Sequence, residues 1–205
     1  MDLEIGDIRA GDVLLCYSSM TAEEETAAGT GYSHTAIALS GARVLEASNG
    51  GVKIASVEKL LEDYDHIAVL REIESNSLWD TERLSSLDNF AAQAEGKGFN
   101  QIGLAKFHAR KERRQNDLME RVHVYFEGTA VEVTSERGVY FCSELITAAF
   151  IHVGIIAQSA AVVFTPETFS PSDVAKDKVF GFFCGYIKSS PGYVVPQGDF
   201  FERSV

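Results

Sequence analysis

The segment from Tyr140 to Gly154 most constrains what this chain can become. Tyr140-Phe141 leads into Cys142, and an apolar run with Glu144 as its one acid continues to Val153, where Gly154 follows. Gly is the favoured residue just past a helix end. The pattern reads as a helix over 142–153, and a helix apolar on most sides belongs inside a fold. It is not a membrane span. The stretch from Leu145 to Val163 is interrupted by His152, Gly154, Gln158 and Ser159, and a span needs roughly 18 apolar residues in a row.

The preceding half supplies strands to cover such a helix. Val13–Tyr17 follows the turn-like Ala10-Gly11-Asp12, and His34–Leu39, Arg43–Ala47 and His66–Arg71 are further apolar runs of strand length. Ser18–Gly31 is polar and reads as a surface loop. Val57–Tyr64 reads as a short helix. Asp80–Ala94 has Leu84, Leu87, Phe90 and Ala91 at helical spacing. Ile102–Val122 reads as one further helix, and His123–Phe126 with Ala130–Val133 as a hairpin around Glu127-Gly128-Thr129. Ser170-Pro171 marks a helix start, and Val179–Ile187 a last strand. The expectation is a single α+β domain over 1–205: an antiparallel sheet on the Cys142 helix, with a helical insertion over 77–121.

Charge narrows the partners. The 205 residues carry a formal net charge of −12, which disfavours nucleic acid because phosphates need Lys and Arg. Lys106–Arg114 runs against the trend, with basic residues at 106, 110, 111, 113 and 114 and one acid, Glu112. It reads either as a solvated helix face or as a contact for an anionic ligand or membrane surface. The three cysteines, Cys16, Cys142 and Cys184, are widely spaced, which is no disulfide framework and fits a thiol-reducing compartment. Met1–Ile5 holds two acids and no basic residue, unlike a signal peptide. The expected location is cytoplasmic.

Two positions carry candidate chemistry. Cys142 stands where the apolar segment enters its helix, and helix N-terminal N–H groups favour a thiolate. The same groups can stabilise an oxyanion on an attacked carbonyl. Cys16 and Cys184 sit inside strands and read as packing. His34 opens a strand. A hairpin with loop Leu39-Ser40-Gly41 pairs 38 with 42, 36 with 44 and 34 with 46, so that His34 faces Glu46 on one side of the sheet. A carboxylate there fixes the imidazole and leaves its other nitrogen free to act as a base. A buried structural histidine and a small buried cysteine are the bland alternatives. Periodicity alone does not bring Cys142 to His34. A zinc site using both residues lacks a close-spaced ligand pair, and no cofactor is expected.

Several stretches together resemble the circularly permuted branch of the NlpC-type papain-like cysteine hydrolases, the YiiX-like group in particular. They are Gly11-Asp12-Val13-Leu14-Leu15, Tyr32-Ser33-His34-Thr35-Ala36-Ile37-Ala38-Leu39, Val44-Leu45-Glu46-Ala47, Tyr140-Phe141-Cys142-Ser143-Glu144-Leu145, and Thr165-Pro166 through Ser170-Pro171-Ser172-Asp173. In this group the histidine strand precedes the cysteine helix. Where the related lecithin:retinol acyltransferase proteins carry a second histidine, this chain has Glu46. The resemblance implies a permuted papain-like fold with Cys142 as nucleophile, His34 as base and acid, and Glu46 orienting His34. It implies the Cys142 N–H, with Tyr17 as a second donor, for the oxyanion hole. Tyr32, Ser33 and Glu144 are the candidate substrate contacts, Glu144 reading either as a polar wall of the cleft or as a structural acceptor. The implied activity is an amidase or peptidase working through a thioester, on small peptides such as peptidoglycan fragments. The alternatives are an acyltransferase, lipase or thioesterase on acyl-lipid or N-acyl substrates, and a silent binding module of the same fold.

Overall fold

Val13, Leu14, Leu15 and Cys16 have no accessible surface. An apolar run without alternation requires a strand covered on both faces. The computed structural model, which describes residues 1–19, 30–72, 78–116, 118–127, 137–162 and 164–202, places this strand, β1 (Val13–Tyr17), inside a six-stranded antiparallel sheet. The other strands are β2 (Tyr32–Leu39), β3 (Arg43–Ser48), β4 (Gly51–Ser56), β5 (His66–Arg71) and β8 (Phe182–Lys188), in the order β4-β3-β2-β1-β5-β8. A short parallel pair, β6 (Gly98–Phe99) with β7 (Val139–Tyr140), stands apart.

Each face has its own apolar core. On one side Leu14, Cys16, Ala36 and Val44 pack under Val57 and Leu60 of helix α1 (Val57–Asp63). On the other, Val13, Leu15, Ile37 and Leu45 meet α2 (Thr81–Ala94) and α6 (Cys142–His152). Helix α2 starts on Asp80, which accepts from the Arg83 N–H at 2.8 Å. It buries Leu87, Phe90, Ala91 and Ala94, so this part of the expected insertion belongs to the core. Residues between β6 and β7 form a separate arm of three helices, α3 (Gln101–Ala105), α4 (Phe107–Asn116) and α5 (Leu118–Phe126). Helix α7 (Pro171–Lys176) opens on Ser170, whose hydroxyl accepts from the Asp173 N–H at 3.1 Å.

The structure departs from the sequence expectations in five places. The β2–β3 hairpin closes at Leu39–Arg43 and pairs Ala36 with Glu46, two residues from the expected register. Gly41 and Ala42 both take positive φ, 77° and 58°, so the loop is Ser40-Gly41-Ala42. A shift of two keeps every side chain on its face, and Glu46 stays on the side of His34. Strand β4 was not expected. Its turn is built on Asn49-Gly50, and Gly51 takes φ 99° with Lys97 O only 2.6 Å from where a Cβ would stand. The single helix expected over Ile102–Val122 is interrupted at Lys106; beyond it the described residues are helical over α4 and α5, and residue 117 between them lies outside the described residues. His123–Phe126 is the end of α5 rather than a strand: an i,i+4 pair, His123 Nε2 to Glu127 Oε1 at 3.1 Å, continues the helical spacing. The expected partner Ala130–Val133 lies outside the described residues, as do 20–29 of the expected Ser18–Gly31 loop. Finally, β8 begins at Phe182, because Lys178–Phe180 is a 3₁₀ turn and Gly181, at φ 114°, comes within Cβ distance of the Arg71 backbone.

Candidate active site

The nucleophile helix is held at its first turn. Phe141 is the extended N-cap of α6, Cys142 the first helical residue and Glu144 the third. Glu144 has no accessible surface. Its Oε2 accepts from the Phe141 N–H at 3.1 Å and from Asn100 Nδ2 at 2.9 Å, and its Oε1 accepts from Arg137 at 3.0 Å. The first contact is the reciprocal half of a capping box. Burial pushes the Glu144 carboxyl up, and the three donors offset this only in part. Of its two readings, Glu144 matches the structural acceptor: a buried clamp on the Cys142 turn, with no surface open to a substrate. The N–H of Cys142, at the first helical position, has no acceptor within the helix.

His34 comes from β2, opposite Cys16 on β1. The β1–β2 register shifts between Cys16–His34 and Tyr17–Tyr32, which leaves Ser33 as an extra residue. This bulge separates His34, in line with Ala36, from Tyr32, which joins the α6 side. Pairing of β2 with β3 runs only to Ala36–Glu46. One residue beyond it, Thr35 lies beside Cys142, and its N–H, like that of Ser143, lowers the thiol's pKa. The Cys142 helix thus meets the sheet where β3 stops pairing with β2.

There the three expected catalytic residues come together. His34 Nε2 donates to Glu46 Oε2 at 2.8 Å, and the imidazole lies close enough to the Cys142 thiol for each to shift the other's pKa. With Nε2 committed to Glu46, Nδ1 is the nitrogen left for sulfur. His34 and Glu46 are buried, while Cys142 is partly exposed. Tyr64, just past α1, stacks on His34 with ring centroids 5.4 Å apart and planes within 5°. Lys53 Nζ lies 3.1 Å from the other Glu46 oxygen, Oε1. One carboxylate thereby holds the histidine and a lysine at once.

The electrostatics follow from these contacts. Burial would lower the His34 pKa, but its hydrogen bonds to Cys142 and Glu46, with their negative charges, outweigh that and raise it to about 9. Burial would raise Cys142, but the His34 hydrogen bond and charge and the Thr35 and Ser143 N–H groups bring it below the usual thiol value. Glu46 resists burial in the same way and stays below the ordinary carboxylate range through His34 and Lys53. The His34 and Cys142 shifts oppose each other in sign, so each group favours the charged form of the other. Cys16 is the contrast: burial pushes its thiol well up, and the charges of Glu46 and Cys142 push it further. Cys184 is likewise raised by burial.

The remaining sequence candidates are elsewhere. Tyr17, expected as an oxyanion donor, stacks on His66 with centroids 4.5 Å apart. Tyr32, expected at the substrate, has no accessible surface, and its hydroxyl donates to Asp199 at 2.9 Å and lies 3.4 Å from His66 Nε2. Both residues belong to a buried polar cluster in which Asp199 also accepts from the Tyr186 hydroxyl at 2.6 Å. Its partners His66 and Asp199 are fully enclosed, so Tyr32 packs the sheet onto the C-terminal segment. Ser33 is partly exposed beside His34. In the basic segment, Lys106 and Arg110 are exposed, Lys111 is tied to Asp173 at 2.5 Å, and the side chains of Arg113 and Arg114 lie outside the described ones.

Sequence reasoning missed Lys53, Tyr64, Asn100 and Thr35. Lys53 was within reach through the Asn49-Gly50 turn signal, which implies a strand returning beside Glu46. Among the described residues, no group of three or more His, Cys, Asp or Glu is placed to hold a metal ion. A groove lined by Thr81, Ser85, Asn89 and His152 runs along α2. His152 ends α6, roughly 15 Å along the helix from Cys142 at 1.5 Å per residue. Compared with family models, with curated proteins and with solved structures, the chain shows no match.

Proposed function

We propose that this chain is a cysteine-dependent acyl-transfer hydrolase of the circularly permuted papain-like type. The reading rests on one observation above all: a buried imidazole bonded to Glu46 beside a helix-start thiol whose pKa it lowers. A silent module would have no need of a buried ionic chain, which costs free energy to assemble.

Cys142 Sγ attacks an amide or ester carbonyl, and the developing oxyanion is received by the Cys142 N–H. His34, protonated in the resting pair, gives its proton to the leaving amine or alcohol. A thioester remains. Acylated sulfur carries no negative charge, so His34 loses a partner that raised its pKa, while burial still lowers it. It then serves as the base that takes a proton from water, and hydrolysis returns the thiolate. An alcohol or amine in place of water makes the same site an acyltransferase. The substrates that fit the reading are small γ-glutamyl or diamino-acid peptides of the peptidoglycan type, with acyl lipids or N-acyl compounds second. The test is turnover of a panel of such peptides and acyl esters by wild type and by Cys142→Ala. Turnover lost in the variant supports the reading, and turnover by neither protein on either class rejects it.

A further inference from the structure

The arm over 100–126 is fastened beside the candidate nucleophile and turns apolar side chains outward. Asn100, the N-cap of α3, bonds Glu144 at 2.9 Å. Phe107, at the start of α4, packs edge-on against Phe141 at 6.0 Å, and Phe141 directly precedes Cys142. Lys111 fixes α4 to Asp173. Of its apolar side chains, Ile102 is 69%, Met119 78% and Phe126 80% exposed, and Leu104 is nearly half exposed. Met119 and Phe126 are seven residues apart on α5, on one stripe of the helix. Exposed Lys106 and Arg110 lie between these apolar groups along the chain.

We propose that this arm docks on an anionic lipid surface, with Ile102, Leu104, Met119 and Phe126 entering the headgroup layer and Lys106 and Arg110 meeting its charge. Single apolar side chains separated by cations suit a headgroup layer better than a protein partner, which would meet a contiguous apolar patch. The charge supports the same occupant. Residues 101–116 hold five basic residues and one acid in a chain of net charge −12, so most of the remaining protein is repelled from such a surface and the arm is drawn to it. Docking there would bring the interface to the Phe141–Cys142 turn.

The test is co-sedimentation of the full chain with phosphatidylcholine vesicles containing or lacking phosphatidylserine. Binding is expected only with phosphatidylserine and should weaken with salt. Each cation removed should cost about five-fold, so Lys106→Gln/Arg110→Gln weakens binding about 25-fold and Lys106→Glu/Arg110→Glu abolishes it. Met119→Ser/Phe126→Ser should also weaken binding; both side chains are exposed, so a retained circular-dichroism spectrum and melting point show that folding is intact. Cys142→Ala should bind as wild type, which separates docking from catalysis. Equal binding to both vesicle types, capture by soluble heparin without vesicle binding, or wild-type binding by the charge-reversed variant overturns the proposal.

Discussion

Replacing Glu46 by Gln probes the candidate site at its centre. The carboxylate now serves two donors, His34 at 2.8 Å through Oε2 and Lys53 at 3.1 Å through Oε1. A Gln amide has one acceptor oxygen and one NH₂. Either His34 or Lys53 must then face an N–H group, and His34⁺ loses a charged partner in either orientation. A hydrogen bond to a charged group is worth about 1.5–3 kcal/mol, or about one to two pH units at 1.36 kcal/mol per unit. The sign is set by the contacts. His34 is raised by Glu46, so its pKa falls in the variant. Starting from about 9, His34 stays protonated where the thiol ionises, but the pH at which Cys142 loses its imidazolium partner comes down. The assay is the rate of Cys142 alkylation by iodoacetamide against pH, mapped by mass spectrometry with Cys16 and Cys184 as internal controls. In Glu46→Gln the upper inflection, where His34 loses its proton, should move down by about one to two pH units, while labelling of the other two cysteines is unchanged. An upper inflection superimposable on wild type would refute the claim that Glu46 holds the His34 proton.

Further predictions use neighbouring contacts. Lys53→Met leaves Glu46 to His34 alone and should move the same inflection upward, by less, because Lys53 is half exposed and solvent screens it; Lys53→Arg should restore it, and a Met variant that moves the inflection downward would contradict the ordering. Glu144→Ala strands Asn100, the Phe141 N–H and Arg137 around a buried site and should lower stability by about 3 kcal/mol in urea unfolding, where a loss under about 0.5 kcal/mol would make the clamp unimportant. Thr35→Val should be neutral or stabilising by about 1 kcal/mol, because among the described residues the buried Thr35 hydroxyl has no partner, while the backbone N–H toward Cys142 remains. In wild type, alkylation should persist well below the usual thiol value and lose its imidazolium partner as pH rises through about 9; a profile of an ordinary thiol would contradict this.

What the sequence disclosed depended on how local each signal was. The Cys142 helix was legible because its apolar run, its Gly stop and its aromatic lead-in are contiguous. Glu46 was placed on the correct face with the wrong register, since strand parity survives a two-residue shift. Lys53 was hidden because β4 begins in glycines and its outward lysine looks like ordinary surface. Tyr64 meets His34 only after α1 folds back on the sheet, which no periodicity encodes. Tyr17 and Tyr32 looked like site residues because they flank the catalytic strand motifs. Their true partners, His66, Tyr186 and Asp199, come from distant segments. The end of α5 misled for a physical reason: Val124, Tyr125 and Phe126 are strand-favouring types, yet they continue the helix that runs from Leu118.

The central claim is that Cys142 forms an acyl thioester. Its most direct test is an acid-quenched reaction with an activated acyl ester, followed by peptide mapping. The account predicts one acyl group on Cys142, sensitive to hydroxylamine, formed more slowly in His34→Ala and absent in Cys142→Ala. Acylation of Cys16 or Cys184 instead, or equal slow acylation of all three cysteines, would contradict it.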